Sequence, residues 1–206
     1  MKYLGIILDN LLSWKPHLEA LSTKLRKANG IISKLRHVIP KAVLLQLYYS
    51  FFDSHLRYAC QVWGQDTKCL RIFKLQKQCM RLITFSRFNS PSSSLFSELK
   101  VLKFSDSIKL LNISLLHEVL SNSTPSALTN TYNIKKYPDL HNTRGNKLGL
   151  LTRPQCNTTK FGLNSIIYQS IVQWNELQLL YPGTDLTTYS KAKLSELYKS
   201  IILSSY

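Results

Sequence analysis

Acidic side chains are scarce in this 206-residue chain, with 11 Asp and Glu against 27 Lys and Arg, a net charge of +16. That balance weighs against a site for cations or basic partners. It favours polyanions, because Lys and Arg displace the counterions condensed on phosphates. No two aspartates are adjacent: Asp9, Asp53, Asp66, Asp106, Asp139 and Asp185 stand apart. Gly and Pro number only seven each, which favours helices over a turn-rich β fold. The four cysteines, Cys60, Cys69, Cys79 and Cys156, form no C-x-x-C pair and have no His at zinc spacing. This argues against a zinc knuckle or a disulfide framework and for a reducing compartment. Long apolar runs are missing as well. The most apolar stretch, 42–52, is too short to span a bilayer and is interrupted by Gln46 and Ser50. Met1-Lys2-Tyr3 does not open a signal peptide. No phosphate-binding P-loop or dinucleotide fingerprint occurs, and the five His are dispersed. The expectation is an intracellular protein, nuclear or cytoplasmic, with no membrane partner, no cofactor and no metal.

What is present suits a folded, helical chain. The hydrophobic share is 44%, and a chain of this size buries roughly 70% of its unfolded surface. Charge is uneven along it. Residues 1–110 carry 18 basic and 6 acidic side chains, and residues 111–206 carry 9 and 5.

Tyr3 to Leu8 reads as a short strand ending at Asp9-Asn10, in need of a partner such as Leu11 to Trp14 or a strand from elsewhere. Pro16 suits the first turn of a helix. Leu18, Leu21, Leu25, Ala28, Ile32 and Leu35 then recur at spacings of three and four, a narrow apolar seam that leaves Lys27 and Lys34 exposed. Ile39-Pro40 ends that helix. Val43 to Phe52 is apolar on nearly every side and predicts a centrally buried helix, continued by His55 to Trp63 with a kink near Asp53-Ser54. Tyr48, Tyr49, Phe51, Phe52, Tyr58, Trp63, Trp14 and Trp174 are expected in the core. Asp66 is a candidate N-cap for a third helix reaching about Phe85. On it Arg71, Lys74, Lys77 and Arg81 fall within an arc of about 120° at 100° per residue.

Asn89 to Ser94 reads as a polar linker and candidate boundary. Helices are expected at Phe104 to Leu120, Ser165 to Leu177 and Thr188 to Leu203, with a short helical turn after Pro125. Between them, 132–162 reads as a long basic loop. The fold class is therefore mainly α: a helical bundle with a short N-terminal β element over 1–88, and a second helical region over 89–206.

The order of these elements resembles one family. Tyr3-Leu4-Gly5, the helix with LQKQCMRLIT at 75–84, His141-Asn142-Thr143-Arg144, Thr159 to Gly162, Ser165 and Trp174-Asn175 follow one another as in the C-terminal part of non-LTR (LINE-type) retrotransposon reverse transcriptases. Each motif is weak alone; their shared order covers nearly the whole chain. The resemblance implies that Tyr3, Leu4 and Gly5 form a primer grip, that 1–88 is thumb-like, and that the parent activity is RNA-directed DNA synthesis. In the family the paired catalytic aspartates, which hold two metal ions, lie ahead of the YLG strand. The chain is accordingly expected to be a fragment that grips a template–primer duplex without catalysing, with a separate polymerase palm as an implied partner.

Nucleic acid, RNA or an RNA–DNA duplex, is the expected partner through phosphate contacts. The candidate binding residues are Tyr3, Leu4 and Gly5, where Gly permits close backbone approach, the stripe Arg71, Lys74, Lys77 and Arg81, and the loop cations Lys135, Lys136, Arg144 and Lys147. Three alternatives stand beside this reading: a domesticated helical nucleic-acid-binding protein, a protein-interaction module using the Leu18 to Leu35 seam as a coiled coil, and a non-functional element remnant.

Overall fold

The computed structural model describes residues 1–132, 134, 148–158 and 162–206. They form two compact units: Met1–Ile108 together with Ile202–Tyr206, and Lys109–Ile201. Both are mainly α-helical, and among the described residues the one sheet has two strands of two residues. No helix among those residues is long and apolar enough to cross a membrane.

In the first unit the N-terminal strand folds on itself. β1 (Lys2–Tyr3) pairs antiparallel with β2 (Ile6–Ile7), Lys2 opposite Ile7 and Tyr3 opposite Ile6. Leu4 (φ 44°) and Gly5 (φ 82°) make the two-residue turn. Positive φ at both central positions matches the twist of a hairpin, which Gly adopts freely and Leu only under strain. The partner expected at Leu11 to Trp14 is therefore not used. The Tyr58 hydroxyl holds the turn by donating to the Leu4 carbonyl at 2.5 Å.

α1 (Lys15–Leu35) buries Leu18, Leu21, Leu25, Ala28 and Ile32, as the seam predicts. Leu35 is half-buried, and Lys27 and Lys34 are exposed. The seam is consumed inside the unit, where α1 packs on α5 (Leu70–Ile83), so it is not a free coiled-coil face.

The next helical stretch departs from expectation. α2 (Lys41–Leu47) passes into a π-helical segment, Tyr48–Asp53, then α3 (Ser54–Arg57). It breaks at Tyr58-Ala59, where Ala59 has φ 50°, before α4 (Cys60–Trp63). The buried apolar side chains of this stretch lie on one face: Leu44, Tyr48, Phe52 and Leu56. Residues four apart drift by about 40° per step around an α-helix, and the wider π turns offset that drift. Val43, Tyr49, Phe51 and Tyr58 consequently lie partly in solvent, which corrects the expectation of a helix buried all round. Trp63 is in the core, stacked on Phe104 at 5.5 Å. Trp14, the left-handed residue before α1, is half-buried.

Asp66 caps the next element as expected, accepting the Lys68 amide at 2.8 Å ahead of a 3-10 turn (Thr67–Cys69) and α5. The stretch expected as a linker instead contributes a helix. Pro91 precedes α6 (Ser92–Glu98), whose Leu95 and Phe96 are buried. The unit is tied internally by Gln76, fully buried on α5. Its Nε2 donates to the Tyr48 hydroxyl and the Leu102 carbonyl, each at 3.0 Å, and its Oε1 accepts the Phe104 amide at 2.9 Å. Tyr206 reaches the same unit: its hydroxyl donates to Asp106 at 2.6 Å and accepts the Lys103 amide at 2.9 Å.

The second unit takes the later part of α7 (Phe104–Leu120), α8 (Ser126–Tyr132), α9 (Ile166–Leu180) and most of α10 (Lys191–Ser204). Ser165 caps α9, its hydroxyl accepting the Tyr168 amide at 3.3 Å. The core is unusually polar: Asn112 donates to Gln173 at 3.0 Å, and His117 Nε2 lies 2.9 Å from the Tyr189 carbonyl. Buried amides of this kind are tolerated because they are paired.

Candidate nucleic-acid interface

α1 and α5 run side by side in the same direction. Lys68 Nζ donates to the Ser13 carbonyl at 3.0 Å, Asn29 Nδ2 to the Leu75 carbonyl at 3.1 Å, and Arg36 lies 4.3 Å over the Phe85 ring. Between them runs a groove of about 380 Å³ lined by Arg26, Asn29, Gly30, Ser33, Gln78 and Leu82. A Cβ added to Gly30 would meet nothing within 4 Å, so the wall is open there.

The four cations of the α5 stripe differ in what holds them. Arg71 and Lys74 are exposed. Lys77 is half-buried, its ammonium 4.9 Å over the Phe73 ring. Arg81 is turned onto the chain, donating to the Ser90 carbonyl from Nε at 3.2 Å and Nη2 at 2.9 Å. On α1 the exposed cations are Lys24, Arg26, Lys27 and Lys34. Sequence reasoning found the exposure of Lys27 and Lys34 but did not join α1 to the α5 stripe. The missed signal is a shared absence: no Asp or Glu occurs in 20–52 or in 67–97, the stretches that supply most of α1 and all of α5. Nearby carboxylates would cancel the field of these cations at short range; here none is supplied by either helix face beyond Glu19.

The N-terminal turn presents Tyr3 and Leu4 mostly to solvent, 59% and 70% exposed. A Cβ on Gly5 would lie 3.6 Å from the Tyr58 ring, an ordinary contact, so the turn's φ rather than space calls for glycine there. Lys135, Lys136, Arg144 and Lys147, with the His141 to Arg144 and Thr159 to Phe161 stretches, lie outside the described residues.

The described motif residues prove to organise structure. Gln76 of the LQK stretch carries the buried network above. Asn175, after Trp174, pairs with both backbone groups of Leu151: Oδ1 accepts the amide at 2.9 Å and Nδ2 donates to the carbonyl at 2.8 Å. Burial pushes the Cys60 and Cys69 thiols up to about 12 and the Cys79 thiol further, so none of the three is a ready nucleophile. Among the described residues no group of three or more His, Cys, Asp or Glu is placed to hold a metal ion.

Comparison with known proteins supports the family resemblance. The chain is 30% identical over 113 residues to a probable RNA-directed DNA polymerase from the transposon X-element of Drosophila melanogaster, a match covering 52% of this chain and 12% of that protein. It is thus related over about half its length to a transposon RNA-directed DNA polymerase, and it spans about an eighth of that relative. No protein-family model matches the chain. No solved structure matches it either.

Proposed function

We propose that this chain serves the RNA-directed DNA polymerase of a non-LTR retrotransposon as a thumb-like grip on the template–primer duplex. The observation that carries the reading is the basic surface of α5 and of α1 beyond Glu19, free of acidic side chains of its own, on which Arg71, Lys74 and Lys77 repeat at three-residue spacing. Helical charges at that spacing meet successive phosphates, and such contacts supply affinity and positioning rather than sequence readout. The relationship to a transposon polymerase supports RNA–DNA hybrid as the ligand. The exposed Tyr3-Leu4-Gly5 turn suits close approach to a sugar–phosphate backbone, the part a primer grip plays, and the loop cations Lys135, Lys136, Arg144 and Lys147 would extend the basic surface. In this reading the chain holds nucleic acid for chemistry done by the paired palm aspartates of the polymerase.

The test is binding of an RNA–DNA hybrid duplex across a salt series. Each phosphate contact contributes about 0.7–0.9 to the slope of log affinity against log salt. Arg71→Gln, Lys74→Gln and Lys77→Gln together should lower the slope by about 2 on that scale. A slope unchanged by the triple variant would overturn the assignment of α5.

A further inference from the structure

We propose that the loop after α5 is a stacking platform for unpaired nucleotides, so that a single-stranded tail leaving the duplex is held by Phe85 and Phe88. The inference rests on the nucleic-acid reading above and adds to it a different ligand, single-stranded RNA or DNA, and a different contact, the faces of the bases.

Two phenylalanines stand in solvent three residues apart. Phe88 is 82% exposed and Phe85 is 50% exposed. Single exposed apolar residues are ordinary; a pair on a braced loop among cations is less so. The bracing is explicit. The Ser86 amide donates to the Arg81 carbonyl at 3.1 Å, and the Ser90 amide to the Arg87 carbonyl at 3.0 Å. The Thr84 hydroxyl lies 2.8 Å from the Ser86 hydroxyl and donates to the Met80 carbonyl at 2.9 Å. The Arg81 guanidinium closes the loop on the Ser90 carbonyl. Phe85 itself sits in the left-handed region, φ 55°, so the loop turns its ring back toward the end of α1. There Arg36 lies over the ring and His37 meets it edge-on at 5.6 Å. One side of Phe85 is thus backed by a cation while half of its surface stays open.

Stacking on aromatic rings is sequence-tolerant because every base offers a π face, and arginine beside the ring adds cation–π and phosphate contacts. Paired bases hide those faces, so the platform suits unpaired nucleotides. Charge complementarity agrees: Arg87 stands between the two rings in sequence, Arg36 lies 4.3 Å over the Phe85 ring in space, and no Asp or Glu occurs in 67–97. The groove between α1 and α5 leads along both helices toward the Arg36–Phe85 contact, past the open wall at Gly30.

The experiment compares the full chain binding a blunt RNA–DNA hybrid with the same hybrid carrying an eight-nucleotide oligo-uridine tail. The tail should raise affinity about tenfold, the order expected from one or two base stacks. The double variant Phe85→Leu, Phe88→Leu should remove that gain and leave blunt-duplex binding unchanged. Phe88→Leu alone, at a site too exposed to affect folding, should remove part of it, and Phe88→Trp should retain it. The proposal is overturned if the tail adds nothing, or if its gain survives in the double variant. It is also overturned if the phenylalanines instead govern binding to anionic lipid vesicles. Failure to bind either duplex would overturn the nucleic-acid reading as well, so the two failures are distinguishable.

Discussion

The Arg81 guanidinium donates twice to one backbone carbonyl, that of Ser90, nine residues ahead in the chain. A residue that the sequence places on the basic stripe of α5 is therefore also the clasp of the loop that follows it. Its neighbours on the stripe, Arg71 and Lys74, make no comparable closure.

This predicts a split between stability and binding along one helix face. Arg81→Gln should destabilise the first unit by about 1 kcal/mol, the scale for losing a partly exposed charged hydrogen bond. Arg71→Gln should stay within about 0.5 kcal/mol, as for most surface changes. Urea denaturation followed by tryptophan fluorescence, together with hybrid binding, measures both. Equal stabilities for the two variants would show that the clasp contributes nothing to folding.

Two glycines should respond in opposite directions to the same change. At Gly64 an added Cβ would lie 2.5 Å from Ile108 Cδ1 and 2.4 Å from the Cys60 carbonyl oxygen. Gly64→Ala must displace backbone or core, and should cost about 1–3 kcal/mol, as overpacking does. At Gly30, inside α1, nothing stands within 4 Å. Gly30→Ala should stabilise by up to about 1 kcal/mol through helix propensity alone. Thermal unfolding of the two variants checks the signs.

How much of this was legible in the sequence varies with the physics of each element. The seam from Leu18 to Ile32, the Asp66 cap and the helix that follows were readable, because period and capping are local properties. The hairpin at Leu4-Gly5 was not. Leu is a poor left-handed residue, and the Tyr58 hydroxyl that braces its carbonyl comes from 54 positions away. The π-helical segment was equally hidden, since an apolar run does not disclose which side will face solvent. Pro91 and three serines looked like a linker, while Leu95 and Phe96 behind them decided for a helix. At the candidate interface, the α5 stripe was visible as charge spacing. Its extension to α1 required knowing that Asn29 lies against Leu75, and the Phe85–Phe88 loop required knowing that Arg81 closes it.

Alkaline pH should loosen the first unit. Burial raises the Cys60 and Cys69 thiols to about 12, and it raises the Cys79 thiol and the Tyr48 hydroxyl as well. An unfolded thiol ionises near its ordinary value of about 8.5. Below that pH both states bind the proton and the contribution of these groups is intact. As pH rises from about 8.5 toward 12, the unfolded chain loses protons that the folded chain keeps, so stability falls. Urea midpoints at pH 7.5, 9 and 10 should decline, and Cys60→Ala with Cys69→Ala should flatten the decline. A midpoint independent of pH over this range would contradict the burial of the thiols. In the native state, thiol titration at pH 8 should label half-buried Cys156 well ahead of the other three.

Asn175 makes the sharpest prediction for the second unit. Its amide copies the pairing of a neighbouring strand, accepting from the Leu151 amide and donating to the Leu151 carbonyl, with both residues buried. Asn175→Ala strands two backbone groups at once. An unsatisfied buried group costs about 1–3 kcal/mol, so the loss should reach about 2–4 kcal/mol on that scale. Asn175→Asp keeps the acceptor for the Leu151 amide but sets a carboxylate against the Leu151 carbonyl, so it should be at least as harmful at neutral pH. It should recover partly on acidification, when the protonated acid can donate again. The reading predicts that hydrogen exchange at the Leu151 amide accelerates in Asn175→Ala, while exchange in α5 of the first unit is unchanged. An Asn175→Asp variant as stable as the parent at pH 7, or a Leu151 amide that exchanges no faster, would show that the pair does not anchor this segment.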